Sequence, residues 1–194
     1  FPALEQFIGQ LNTNIEKEKK GLKNALKNFW WKKPKAETIQ AGQLRYTATD
    51  IVSKVRTLAD LSFVFRDYET AHAMYRLVKE DSKADKAWNH YAGAVEMVAL
   101  SLFMMGRNSE AVSREIRERM ETAAKYYKIG KASRAVQNQG IGTRFSTRTT
   151  LMYLSILRCF GSSFGFLAAK HCLTAAADEE GMAQAVMYEY AARC

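Results

Sequence analysis

The sequence predicts an all-α protein built of paired helices, and three observations predict it. Proline occurs twice, at Pro2 and Pro34, so nothing beyond residue 34 breaks a helix by lacking an N–H. Apolar residues recur at helical spacing with no sustained strand-type alternation. Hydrophobic residues make up 47% of the 194-residue chain, enough to bury a core rather than to leave a disordered tail.

Residues 3–20 read as a polar amphipathic helix. The next stretch, about 19–33, is amphipathic in a different way. At 100° per residue Leu22, Ala25, Leu26 and Phe29 share one sector, with Trp30 at its margin and Trp31 following, while Lys20, Lys23 and Lys27 gather opposite. Lys32, Lys33 and Lys35 extend the charge to and past Pro34, which stops the helix and opens a linker over 33–47. Such a helix suits a membrane interface, with apolar side chains in the acyl boundary, indoles at headgroup depth and ammonium groups against anionic lipid. Each lysine there is worth about 1 kcal/mol. The stripe is too short to span a bilayer, and an amphipathic helix of this kind also packs well on a protein surface. Residues 1–47 therefore form an N-terminal segment distinct from 48–194.

From residue 49 the helices come in pairs. One helix over about 50–65 carries Val55, Leu58, Leu61, Phe63 and Phe65, breaks at Arg66–Asp67–Tyr68, and is followed by a second over 69–80 with Ala71, Met74, Tyr75 and Val78. Small Ala59 and Ala71, with Tyr68 and Tyr75, match a tetratricopeptide-like hairpin in which small residues let two helices approach closely. A second unit starts near Lys86 with Trp88, Gly93 and Ala94, and continues through Met105 into a charged helix over 109–127. Met97, Met104 and Met105 read as core. Helices over 147–160 and 163–176 form a third unit, and residues 181–194 begin a fourth. Starts near 51 and 86 lie 35 apart and those near 146 and 180 lie 34 apart, but the middle interval is 60. The excess falls in 129–145, Gly-rich and basic, which predicts a loop. Helix pairs with uncovered apolar faces must stack, so the expected architecture is an α-solenoid.

Charge is uneven. The net charge is +9, yet no acidic residue occurs between Glu121 and Asp178, where Lys125, Lys128, Lys131, Arg134, Arg144, Arg148, Arg158 and Lys170 all stand. Lys125, Lys128, Lys131, Arg134 and Arg144 are the candidate surface for an anionic partner, phospholipid or nucleic acid. For RNA or DNA, Tyr126, Tyr127 and Phe145 are the nearby aromatics, a thin set for base stacking. Three cysteines, an odd count without a C-x-x-C pair, fit a reducing cytoplasmic setting. The chain begins without methionine and ends inside a helical pattern, as an excerpt from a longer protein would.

Catalytic and metal patterns yield no candidate residue. Gly161–Ser162–Ser163–Phe164–Gly165 satisfies G-x-S-x-G, but a nucleophile elbow follows a strand, and this one joins two predicted helices as a tight turn. His72, His90 and His171 lack metal-ligand spacing. Gly130–Lys131 lacks the rest of a phosphate loop. No cofactor and no enzymatic activity are expected.

Residues 85–103, DKAWNHYAGAVEMVALSLF, and above all Tyr91 to Met97, resemble the subunit 8 family of the trafficking protein particle (TRAPP) complex. Arg56 to Tyr75 looks like that family's leading hairpin, and Thr147 to Leu151 and Ala185 to Cys194 look like its later helices. The resemblance implies a non-catalytic subunit defining the TRAPP III form. Its partners are then other TRAPP subunits and, through the complex, a Rab-type GTPase whose nucleotide exchange the complex promotes. It also implies a cytoplasmic protein peripheral on Golgi and pre-autophagosomal membranes, with a membrane-anchoring amphipathic helix ahead of the repeats. Leu22, Leu26, Phe29, Trp30 and Trp31 occupy that place, and no nucleic acid is expected as partner.

Overall fold

The computed structural model describes residues 2, 6–7, 9–11, 13–14, 17, 46–47, 50–106, 109–132, 139–177 and 181–193, leaving aside the side chains of 130–144. The chain is all-α. Among the described residues the helices after residue 50 are α1 (Ile51–Val64), α2 (Tyr68–Ala84), α3 (Trp88–Met104), α4 (Glu110–Ala132), α5 (Gln139–Phe160), a 3-10 turn (Ser162–Phe164), α6 (Gly165–Ala177) and α7 (Gly181–Ala192).

The first turns explain the order. After α1 and again after α2 the chain closes with the same paired backbone bonds: Asp67 N donates to Ser62 O and Arg66 N to Phe63 O, then Ala87 N to Ser82 O and Lys86 N to Lys83 O. Arg66 and Lys86 take the left-handed conformation this motif needs, and Gly106 takes it after α3. Asp67 then caps α2, accepting from Thr70 N at 3.1 Å. Such three-residue reversals fold each helix back on the one before, so contacts run chiefly between sequence neighbours from α1 to α7.

Packing follows from small residues at the crossings. Ala59, Ala71, Tyr75 and Val98 form one buried cluster across α1, α2 and α3, and Val52, Val55, Leu58, Val78 and Ala94 form another. Leu11 and Tyr46, from either side of residues 19–33, both pack on the second cluster. The largest cluster joins α3 to α6 through Leu102, Ile116, Met120, Leu154, Leu157 and Cys172. Full burial of one such aliphatic side chain is worth about 1.5–3 kcal/mol.

Three expectations need correction. The connection expected over 129–145 shrinks, because α4 runs to Ala132 and α5 begins at Gln139. Each glycine in a helix costs about 1 kcal/mol, but once α5 is anchored by its packed C-terminal half, propagation past Gly140 and Gly142 outweighs that. Met104 is not core; it is 45% exposed at the end of α3. Unit starts at Ile51 and Trp88 are also 37 positions apart rather than 35, so Ala59 and Gly93 are not equivalent places in their helices.

Gly93 nevertheless sits at a close approach. A Cβ there would lie 3.2 Å from Tyr127 Oη and 3.6 Å from Arg56 Nη1. Gly93→Leu should therefore cost about 1–3 kcal/mol by overpacking, whereas in Gly93→Ala a helix-propensity gain of about 1 kcal/mol offsets the crowding. Urea denaturation of the two variants checks this, and equal stability of Gly93→Leu and wild type would contradict the packing.

His72 on α2 supplies a pH dependence. Burial, then the charges of Arg76 and Arg119, hold its imidazole below the ordinary value of 6.5, against a backbone hydrogen bond to Val98 and the carboxylate of Glu115. The unfolded chain therefore takes up the proton first as pH falls. The stability contributed is complete above about 6.5 and is lost between that value and the lowered folded one. Melting temperature should fall from pH 7 to pH 5, and less steeply in His72→Gln.

Candidate functional site

Tyrosine hydroxyls meeting carboxylates link successive helices. On α1, Asp60 accepts from Arg56 Nε at 2.9 Å and from Tyr75 Oη of α2 at 2.6 Å, with the Arg56 guanidinium 5.1 Å from the centre of the Tyr75 ring. On α4, Glu121 Oε1 accepts from Tyr153 Oη of α5 at 3.0 Å and lies 3.1 Å from His171 Nε2 of α6. Burial first, then the facing carboxylate, pushes the Tyr75 and Tyr153 hydroxyls well above the ordinary tyrosine range, so both remain donors.

The central link is the most buried. Glu96 on α3 is 1% exposed. Its Oε2 accepts from Tyr127 Oη of α4 at 2.8 Å and from Arg148 Nη2 of α5 at 2.5 Å, and its Oε1 from Thr149 Oγ1 at 3.2 Å. Phe145 flanks the group, its ring 5.5 Å from that of Tyr127 and 5.6 Å from the Arg148 guanidinium carbon. Burial and Glu96 together raise the Tyr127 hydroxyl far above its usual range. Sequence reasoning passed over this network. Glu96 alone, a charge inside the apolar run AGAVEMVAL, was the available signal.

A groove of about 290 Å³ opens beside the Glu121 link. Glu121, Ala124, Lys125 and Lys128 line it from α4, Thr150 and Tyr153 from α5, and His171, Thr174 and Ala175 from α6. Of the basic residues read as an anionic-partner surface, Lys125 is exposed and Lys128 half-buried, and both face this groove. Lys131, Arg134 and Arg144 lie outside the described side chains. The proposed membrane-binding residues Lys20, Leu22, Lys23, Leu26, Lys27, Phe29, Trp30, Trp31, Lys32 and Lys33 lie outside the described residues altogether.

The packing residues fall as follows. Ala59, Ala71, Tyr75 and Ala94 are fully buried, Tyr68 is half-buried against Phe63, and half-buried Trp88 packs on Tyr91 and Tyr126. Tyr127 is 4% exposed, and Tyr126 rests on Trp88 and Tyr91. All three aromatics named for base stacking are thus engaged with other side chains, Phe145 with Tyr127 and Arg148. Ser163 of the G-x-S-x-G stretch is exposed in a 3-10 turn between helices, with no preceding strand. Among the described residues no group of three His, Cys, Asp or Glu converges to hold a metal ion, and no helix is long and apolar enough to cross a membrane.

Residues 1–161 match the model of the TRAPPC-Trs85 family, described as the ER–Golgi trafficking TRAPP I complex 85 kDa subunit. The chain belongs to this family. It is similar to transport protein particle subunit trs85-1 of Schizosaccharomyces pombe, 37% identical over 65 residues, which cover 34% of this chain and 10% of that protein. It is also similar to human trafficking protein particle complex subunit 8, 30% identical over 113 residues, covering 54% of this chain and 8% of that one. The matched stretch spans about a tenth of either relative or less.

Removing the central carboxylate should be costly. Glu96→Ala leaves the buried Tyr127 and Thr149 hydroxyls without an acceptor and opens a void, for a loss of about 3 kcal/mol. Tyr127→Phe should cost about 1–2 kcal/mol, and the double variant less than the sum of the two. Urea denaturation of the four proteins measures the coupling, and strict additivity would show the bond to be worth nothing.

Proposed function

We propose that this chain is part of a non-catalytic scaffold subunit of TRAPP III, the tethering complex that promotes nucleotide exchange on a Rab-type GTPase. In this reading residues 48–194 form a tetratricopeptide-like α-solenoid that docks other TRAPP subunits. Residues of about 19–33 hold the assembly on Golgi and pre-autophagosomal membranes. The observation that carries it is the family match over residues 1–161, which takes in residues 19–33 and the helices through α5. The family description carries the TRAPP I label, while the resemblance of residues 85–103 implies the TRAPP III form; both make the chain a TRAPP subunit.

Neighbour-to-neighbour helix contacts support a solenoid, since each hairpin buries its open face only against the next. The composition of 19–33 supports membrane contact: several lysines at about 1 kcal/mol each, with four or five apolar side chains to insert, give reversible docking. Leu11 and Tyr46 pack on the α1–α3 core, so a docked segment between them would be tethered to the repeats at both ends.

Replacing Phe29, Trp30 and Trp31 by alanine keeps the lysines and removes the wedge. Flotation with phosphatidylserine-containing vesicles should fall at least tenfold while the melting temperature stays within about 1 °C. Loss of helical content in solution, in step with the loss of binding, would instead make those aromatics part of the folded core.

A further inference from the structure

We propose that the groove between α2 and α4, floored by α3, receives an arginine side chain of a partner protein. Lys79 bounds it on α2, Tyr91 and Val95 form its floor on α3, and Glu118 and Arg119 stand on the α4 wall. Which of these groups is still unpaired decides what it can take. Lys79 is joined to Glu80 at 2.8 Å, and Arg119 donates from Nε to Glu115 Oε1 at 2.9 Å. Among the described residues, by contrast, no hydrogen bond or ion pair engages the Glu118 carboxylate or the Tyr91 hydroxyl.

Tyr91 is the less expected of the two. It is 7% exposed, and a tyrosine this deep ordinarily finds a partner for its O–H. Edge-on contacts with Trp88 and Tyr126, at 6.4 and 4.7 Å between ring centres, fix its ring and so hold the hydroxyl at the groove. Burial first, then Tyr126 and Glu80, against Arg119, keeps that hydroxyl above the ordinary tyrosine range and therefore neutral. A neutral hydroxyl beside an unpaired carboxylate offers two acceptors, and a cation with several donors uses both.

Charge gives the sign. Lys79 and Arg119 against Glu80, Glu115 and Glu118 are two bases and three acids, which leave one net negative charge. An acid or a phosphate would meet Glu118, and would have to break an existing ion pair to reach a base. Guanidinium suits the groove better than ammonium. Its planar fork presents donors on two edges, one for the carboxylate and one for the hydroxyl, and it is more weakly hydrated. Size points to a side chain rather than a free ligand. The groove holds about 230 Å³, below the roughly 300 Å³ at which small-molecule sites begin, and suits one long side chain with its stem on Val95.

This inference rests on the adaptor reading only in placing the arginine on a partner protein, and residues 19–33 play no part in it. The test titrates N-acetyl-arginine methylamide into the isotope-labelled whole chain and follows backbone amide shifts by NMR. Saturable shifts at the Tyr91 and Glu118 amides are expected in the millimolar range, with blocked lysine weaker and blocked citrulline, the uncharged isostere, inert. Glu118→Gln should weaken binding about tenfold and Tyr91→Phe about threefold. Tyr91→Phe keeps the packed ring and loses no internal hydrogen bond, so its helical content should match wild type. Should it fail to fold by circular dichroism, Glu118→Gln alone, at an exposed site, carries the test.

The Phe29, Trp30 and Trp31 alanine variant should give the wild-type shifts, so failure of membrane docking and failure of the groove are separable. Absence of arginine-induced shifts at the groove would overturn the proposal, as would shifts indifferent to both Glu118→Gln and Tyr91→Phe. So would a groove that answers to spermidine or to inorganic phosphate but not to blocked arginine.

Discussion

A carboxylate inside a helix bundle demands donors, and Glu96 takes them from two helices at once. Leaving such a group buried without partners costs several kcal/mol, more than most single contacts return. Its donors stand 31, 52 and 53 residues later in the chain, on α4 and α5. The charge is therefore satisfied only when three helices share one register. A slip of α3 by one helical turn, about 5.4 Å, would break all three bonds together, whereas an apolar interface could repack. Gly93, on the same helix, gives the Tyr127 hydroxyl the space to reach Glu96. Arg148 closes the arrangement from the rim, its side chain 56% exposed while that of Glu96 is 2% exposed.

The outer links repeat this logic at lower stakes. Asp60 and Glu121 are partly exposed, so water shares their solvation, and the tyrosines chiefly fix orientation. Placed between α1 and α2 and between α4, α5 and α6, they mark interfaces that the apolar clusters also bridge. Because contacts run mainly between neighbours, no distant element corrects a wrong angle at one junction. Polar pairs with one good geometry supply that correction locally.

Helix positions were legible in the sequence because period and punctuation agree. Arg66–Asp67 ends one helix and caps the next, and Ala59, Ala71 and Tyr75 fall where the packing needs them. The connection at 129–145 was misread because glycine propensity is local, while α5 is extended by the packing of its far end. Glu96 was missed for the opposite reason. One acid in an apolar run is visible, but its partners are dozens of residues away and nothing in their spacing marks them. Lys125 and Lys128 were named from charge alone; that Tyr153 and His171 complete a groove with them is a fact of three-dimensional packing.

The acid-free stretch also changes meaning once folded. Counted along the chain, residues 122–177 hold eight basic residues and no acid, which reads as a broad cationic surface. Folding draws on acids from upstream helices. Arg148 is joined to Glu96 of α3, and Glu121, just before the stretch, turns toward Tyr153 and His171. Lys125 and Lys128 remain at the α4–α6 groove, while Arg158 lines a separate cleft near Arg193. Among the bases whose side chains are described, the positive charge is thus divided between places of different shape. A long polyanion needs a continuous track, and among the described side chains Arg148, at the rim, is committed to Glu96.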